Sequence, residues 1–547
     1  MSISLSKAWR TSATLALVCS GAWVDAALAA APTTVPTDAG TVQGLSSTDG
    51  RQFLGIPFAA PPVGPLRWKA PQPAAAWGGV RPATQAAHAC KQDGTLPPAG
   101  VPDSSEDCLY LNVYTPPEAS ATGPLPVMVW IHGGAYLTGA GSQYDGSQLA
   151  LKARAIVVTV NYRLGIFGML ALDALTQESA AGNHALQDQQ AALRWVQRNI
   201  GQFGGDQNRV TIFGQSAGGS SVCQQLVSPR AAGLFQRAIL QSGPCTFGTA
   251  ARATAVATGD AFALKAGCPS GPGQLACLRG KTTDELFQAA PSLDFGDLKS
   301  LQVLTPSVDG VVLPDLPTKL IKQGKFNRVP VMIGNTQDEG TLFIALAYDL
   351  RLGAAMTEAQ YQAQVLQVAG NQTIASLVTA DYSSKRLGSP GLATSALVTD
   401  STFACGTQSS ARGLSNFTPT YAYEFQERSV PQLTPDPFMA WGAYHASELP
   451  FLFQTRILTT PPSPDPRDVS TPAQLALADT MVQYWARFAA TGNPNGGQLV
   501  NWPRFNTVLT ATQLLQASKV STNLLGGIYS KHQCLLWDTA AALGLGL

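Results

Sequence analysis

A serine between glycines offers the clearest chemistry in this sequence. Residues 210–220 read VTIFGQSAGGS. A β-branched and aromatic run, Val210 to Phe213, breaks into Gly214-Gln215-Ser216-Ala217-Gly218, and Val222, Cys223 and Leu226 then recur at a helical period. Strand, sharp turn and helix are the context in which a Gly-x-Ser-x-Gly segment lifts a serine hydroxyl above the carboxyl edge of a sheet. The turn forces the serine into a strained backbone geometry, and neighbours without bulk let adjacent backbone approach closely. The chain holds 52 glycines, so the pentapeptide alone could arise by chance. Its partners decide the reading.

A serine hydroxyl is a poor nucleophile until a base takes its proton, and a third group must hold that base. In α/β-hydrolases the three follow one another as serine, acid, histidine. There are five histidines, at 88, 132, 184, 445 and 532, and the first three precede Ser216. His532 stands two residues before Cys534, where a structural role is expected. That leaves His445 as the base, in the small-residue loop Trp441-Gly442-Ala443-Tyr444-His445-Ala446, after the last recognisable strand. The acid should end a strand between them. Residues 329–334 run into Asn335-Thr336-Gln337-Asp338-Glu339-Gly340, which offers two adjacent carboxylates. By spacing Asp338 and Glu339 are equivalent: one should face the histidine, the other solvent or backbone. Asp309, in Val308-Asp309-Gly310, reads as an ordinary turn residue.

Attack on a carbonyl creates an oxyanion, and losing one pre-positioned donor to it costs ~3 kcal/mol of transition-state stabilisation. His132-Gly133-Gly134-Ala135-Tyr136 follows a buried apolar run upstream of the serine, the position of a glycine-rich oxyanion loop. The Ala217 amide, just after the serine, would be the third donor.

The elements that must position these residues are legible as apolar runs. Residues 41–57 read as a hairpin turning at Thr48-Asp49-Gly50. Residues 109–114, 125–131, 155–162, 237–241, 329–333 and 421–425 read as strands, most of them buried on both faces. Helical patterns cover 184–202, much of 356–411 (expected to cover the site) and 475–490. Buried β-rich runs separated by helices indicate an α/β fold: a large, mainly parallel central sheet with helices on both faces. No repeat or linker divides the chain. Charged residues make up 13% of it, about half the usual share of roughly 25%, and long ordered loops over a buried sheet account for that. A net charge of +1 gives no footprint for nucleic acid or an anionic membrane.

Residues 1–29 read as a cleavable export signal: Lys7 and Arg10, an apolar segment from Thr14 to Val24, and Ala27-Leu28-Ala29 as the cleavage site. The mature domain, 30–547, would be secreted or periplasmic, with no membrane span. Bulky Val18 before Cys19 argues against a lipoprotein. Removing Cys19 leaves eight cysteines, 90, 108, 223, 245, 268, 277, 405 and 534, an even number that favours disulfides over metal ligation. Connectivity stays open at this point, although Cys268 and Cys277 are near enough to close a small loop.

Taken together, these residues resemble the type-B carboxylesterase and cholinesterase family over nearly the whole mature chain. The resemblance runs through Phe53-Leu54-Gly55-Ile56-Pro57-Phe58, residues 61–68, Glu106-Asp107-Cys108-Leu109-Tyr110-Leu111-Asn112, Asn161-Tyr162-Arg163, Phe203-Gly204-Gly205-Asp206, the serine elbow, Gln241-Ser242-Gly243 and Asp338-Glu339-Gly340. It implies an α/β-hydrolase fold whose long loops form a gorge. It also implies Glu339 as the acid beside Ser216 and His445, and an oxyanion hole from the amides of Gly134, Ala135 and Ala217. Disulfides Cys90–Cys108, Cys268–Cys277 and Cys405–Cys534 carry over, as does an ion pair between Arg67 and Glu106. Cys223 and Cys245 remain for a fourth bridge. Two departures stand out. Gln215 replaces a glutamate common in relatives, and the segment between Cys90 and Cys108 holds no aromatic with which to bind a quaternary ammonium.

The expected activity is hydrolysis of small-molecule carboxylic esters through an acyl-enzyme on Ser216, with no metal or organic cofactor required. A lipase acting on longer acyl chains is the neighbouring reading, and a catalytically silent binding module the reading from another class. Substrate identity and oligomeric state stay open in the sequence.

Overall fold

The apolar runs pair into one sheet of thirteen strands. The structure, a computed structural model, describes residues 33–92, 101, 103–117, 119, 123–178, 182–291, 303–457 and 465–542. The proposed export signal and Cys19 lie outside these residues. Seven neighbouring strands are parallel, in the order Ile156–Val160, Leu125–Ile131, Gly205–Gln215, Arg237–Gln241, Val331–Thr336, Thr420–Phe425 and Thr512–Leu515. Antiparallel strands extend one side through Tyr110–Thr115, Gly50–Pro57, Thr41–Ser47 and Thr33–Pro36. Ser521–Asn523 closes the other, and Val80–Pro82, the thirteenth, pairs with Thr41–Ser47 off this path.

Alternation along each strand explains the continuous hydrophobicity. Val127, Val129 and Ile131 pack on one face with Val222 and Leu226 of helix Ala217–Val227. Met128 and Trp130 pack on the other with Trp485 and Phe488 of helix Pro472–Thr491. A third apolar cluster joins Ile344, Tyr361, Leu397 and Phe403 of the region after Glu339 to Trp441 and Trp537. Among the described residues no helix is long and apolar enough to cross a membrane.

The topology places the chemistry. From Leu125–Ile131 the chain crosses to Ile156–Val160 on one side, and then returns to lay Gly205–Gln215 on the other. Such a reversal leaves a crevice beyond the carboxyl ends of the two adjacent strands. Those ends carry His132-Gly133-Gly134 and Ser216.

Four strands of this sheet escaped the sequence reading: Thr33–Pro36 and Val80–Pro82 near its start, and late in the chain Thr512–Leu515 and Ser521–Asn523, which follow Thr420–Phe425, so the His445 loop precedes the end of the sheet. At four and three residues, with polar side chains throughout the second, the late pair carries too little hydrophobic pattern to be read. Helix His184–Asn199 stops earlier than its apolar stripe suggests, tightening into a short turn over Ile200–Phe203 that ends at left-handed Gly204.

Four disulfides brace the chain: Cys90–Cys108, Cys268–Cys277, Cys405–Cys534 and Cys223–Cys245. The Arg67 guanidinium grips Glu106 through two hydrogen bonds of 2.5 and 2.7 Å. His532 is structural. It lies 2.5 Å from both Asp400 Oδ1 and Glu424 Oε1, while Lys531 donates to Glu424 Oε2 at 2.7 Å. Burial alone would lower the His532 pKa, but Glu424 and Asp400 outweigh it and raise it to about 10. Burial would raise the Glu424 pKa, yet His532 and Lys531 bring it down to about 2.

A buried imidazolium between two carboxylates has a definite pH signature. The raised pKa makes its stabilisation fully present below the unfolded value of 6.5 and lost as pH climbs through about 10. His532→Leu should cost about 3–5 kcal/mol at pH 6, as expected for a buried pair that loses one partner. In thermal unfolding the gap from the unsubstituted protein should close toward pH 10; a gap constant with pH would show that the ion pair is not the cause. Titrating the denatured, unreduced mature protein for free thiols should find none, whereas two per chain would contradict the Cys223–Cys245 bridge.

Candidate active site

Strand Gly205–Gln215 ends in a turn with no room to spare. Ser216 has φ 58° and ψ −125°, between the strand and helix Ala217–Val227. A Cβ on Gly218 would lie 2.0 Å from the Ile131 carbonyl oxygen, and one on Gly214 2.6 Å from the Gly218 backbone. Only glycine lets the helix approach the strands this closely. The Ser216 amide donates to Gln241 O at 2.8 Å, which locks the turn onto the next strand.

His445 lies beside this turn. Its Nδ1 is 2.5 Å from Glu339 Oε2, and Glu339 Oε1 accepts the Thr336 amide at 2.8 Å. Glu339 is fully buried and His445 nearly so. The two carboxylates divide as expected: Asp338 points away and accepts from Arg428 Nε at 2.8 Å and from the Ala443 amide at 2.9 Å. It therefore holds the loop that carries the imidazole. Burial raises the Asp338 pKa, and Arg428 opposes that rise. Asp309 accepts the amides of Val311, Val312 and Leu313, as a turn residue does.

The other imidazole nitrogen has an unforeseen partner. Gln215 Nε2 is 3.1 Å from His445 Nε2. Among the described residues no hydrogen bond joins the Ser216 hydroxyl to His445. With Nδ1–H donated to Glu339, Nε2 offers a lone pair, and the Gln215 amide donates to it.

Before the serine, the loop after Leu125–Ile131 turns through Gly134 (φ 102°), Ala135 (φ 55°) and Tyr136 (φ 61°). Among the described residues no protein acceptor takes the amides of Gly134, Ala135 or Ala217. His132 stacks on Tyr162 with ring centroids 4.3 Å apart, and burial lowers its pKa to about 4, so it stays neutral.

Three features lie outside every motif in the sequence. Phe343 and Phe403 flank the His445 ring at 4.9 and 5.0 Å. Glu448, three residues past His445, is fully buried and bonded to Gln241 Nε2 at 3.1 Å. Burial and then the charge of Glu339 raise its pKa to about 7. Gln224 links loops on either side of the serine. The apolar run Leu449–Phe453 immediately after Glu448 was the available hint that this carboxyl is not solvated.

Comparison with known proteins decides the family. The family model described as "Carboxylesterase family" matches residues 31–537. This chain belongs to the carboxylesterase family. The esterase is 37% identical to the para-nitrobenzyl esterase of Bacillus subtilis (strain 168) over 495 residues, 88% of this chain and 94% of that protein. It is 36% identical to liver carboxylesterase 1 of Oryctolagus cuniculus over 490 residues, 83% of each. A solved PNB esterase structure superposes with a TM-score of 0.77 at 35% identity, covering 92% of this chain and 99% of its own. The fold is that of the α/β-hydrolases, and the protein is a carboxylic ester hydrolase.

Proposed function

We propose that this esterase is an exported serine carboxylesterase that works through an acyl-enzyme on Ser216. The observation that carries the reading is the convergence of Glu339, His445 and the strained Ser216 elbow at one sheet crevice. His445 Nε2 takes the Ser216 proton as Oγ bonds to the ester carbon, and the carbonyl electrons move onto oxygen. The amides of Gly134, Ala135 and Ala217 receive that oxyanion. Collapse expels the alcohol, which takes the proton from His445, and water then repeats the sequence to release the acid. Glu339 fixes the tautomer and stabilises the imidazolium. The Gln215 amide yields Nε2 to the hydroxyl when substrate arrives; catalytic hydrogen bonds often tighten only in the Michaelis complex.

Phe343 and Phe403 beside the base favour esters with an apolar or aromatic group of modest size. The export reading draws support from the N-terminal segment and from four disulfides, which persist in oxidising compartments.

Ser216→Ala should lower hydrolysis of a short-chain aryl ester by about 10⁴-fold or more, and an organophosphate should label Ser216 in the unsubstituted enzyme. Retained turnover, or labelling elsewhere, would reject the mechanism. Gln215→Glu places a carboxylate where the amide meets the base, which favours imidazolium over imidazole. The acidic limb of kcat/KM should therefore move to higher pH; an unmoved limb would exclude contact between residue 215 and the working base.

A further inference from the structure

The oxyanion loop contains two successive non-glycine residues in the left-handed region, Ala135 and Tyr136. Side-chain-bearing residues are disfavoured there, and such a conformation persists only where its surroundings impose it. What imposes it is visible at Tyr136. Its carbonyl accepts the Gly165 amide at 2.7 Å. Its ring is buried, and its hydroxyl donates to Gln224 Oε1 at 3.0 Å. Burial pushes the phenol pKa up, so the hydroxyl remains a donor across the working pH range.

Gln224 is itself buried, on the helix that begins at Ala217. Its Nε2 donates to Gly248 O and, at 3.0 Å, to Thr249 Oγ1. Beside it, Cys223 is bonded to Cys245. One amide thus fastens three segments: the oxyanion loop, the helix behind the serine, and residues 245–249. That last segment carries Phe247, whose ring is 6.1 Å from Phe403. Gly248 lies against the Tyr136 ring; a Cβ there would be 3.6 Å from Tyr136 Cε2.

We propose that Tyr136 and Gln224 are a positioning pair that aims the Gly134 and Ala135 amides at the oxyanion, with Gln224 as the junction to the 245–249 segment. This rests on the oxyanion role given to those amides above. Both side chains are buried, so the pair acts through backbone geometry alone. The Tyr136 hydroxyl and both Gln224 amide atoms are committed within the protein.

The test compares Tyr136→Phe, which removes only the hydroxyl, with Gln224→Met, which keeps the volume and removes both links, and with the double variant. Each is assayed for kcat and KM on a short-chain aryl ester, for inhibition by an aryl trifluoromethyl ketone, and for thermal unfolding. The ketone forms a hemiketal with Ser216 whose oxygen reports on the oxyanion donors. Each single variant should lower kcat about tenfold, less than the roughly 10²–10³-fold for deleting a donor outright, with KM within about twofold. Ketone affinity should fall by the same factor as kcat. The double variant should be no slower than the slower single, because Gln224→Met already breaks the Tyr136–Gln224 bond that Tyr136→Phe removes. Unchanged kcat and ketone affinity in Tyr136→Phe, or losses that multiply in the double, would overturn the pairing. If Gln224→Met does not fold, Tyr136→Phe with the ketone decides alone. Full activity in Ser216→Ala would instead defeat the underlying mechanism, an outcome separable from these.

Discussion

Steric exclusion at the elbow is the constraint on which the rest depends. Helix Ala217–Val227 can start where it does only because Gly214 and Gly218 leave space for the carbonyl of Ile131 in the adjacent strand. That contact crosses between the two strands at which the sheet reverses its direction of growth. The same close approach therefore brings the serine and the glycine-rich loop to one crevice. Had either glycine a side chain, the helix would have to retreat and the crevice would lose its floor.

Around this fixed point, several polar groups removed from solvent act as struts, tied to partners on other segments. Asp338 holds the His445 loop through Arg428 and the Ala443 amide, Glu339 meets the imidazole, and Gln224 spans the far side. Carboxylates outnumber cations at the centre. Glu448 responds by holding its proton up to about pH 7, because burial disfavours its charged form and the negative Glu339 adds to that. Farther out, His532 accepts the opposite solution: two carboxylates keep it charged.

Much of this was legible in the sequence, for identifiable reasons. Strands such as Leu125–Ile131 and Arg237–Gln241 are buried on both faces, and their apolar runs match the observed bounds. The approach of His445 to a carboxylate after Val331–Thr336 follows from chain order, since few histidines come late enough. Spacing did not separate Asp338 from Glu339, because two neighbours on a sharp turn differ only in direction. The resemblance did separate them, and Glu339 is the one that lies within hydrogen-bond distance of His445 Nδ1. Nor could spacing show that an amide at 215, and not the serine hydroxyl, meets Nε2: that depends on a side-chain rotation with no pattern in sequence. The union of Asp400, Glu424 and His532 is equally silent, for residues more than a hundred positions apart leave no periodic trace when they pair.

The bridge between Cys405 and Cys534 spans a sequence separation of 129, and it has a consequence for how the molecule comes into being. A ribosome delivers Cys534 long after the serine elbow and its glycine loop have emerged. Until then the helical region around Cys405 lacks its covalent latch, and the strand Thr512–Leu515 is also missing from the sheet. The nascent chain therefore presents Ser216 before this bridge can close, and the link between Cys405 and Cys534 is among the last constraints the sequence supplies.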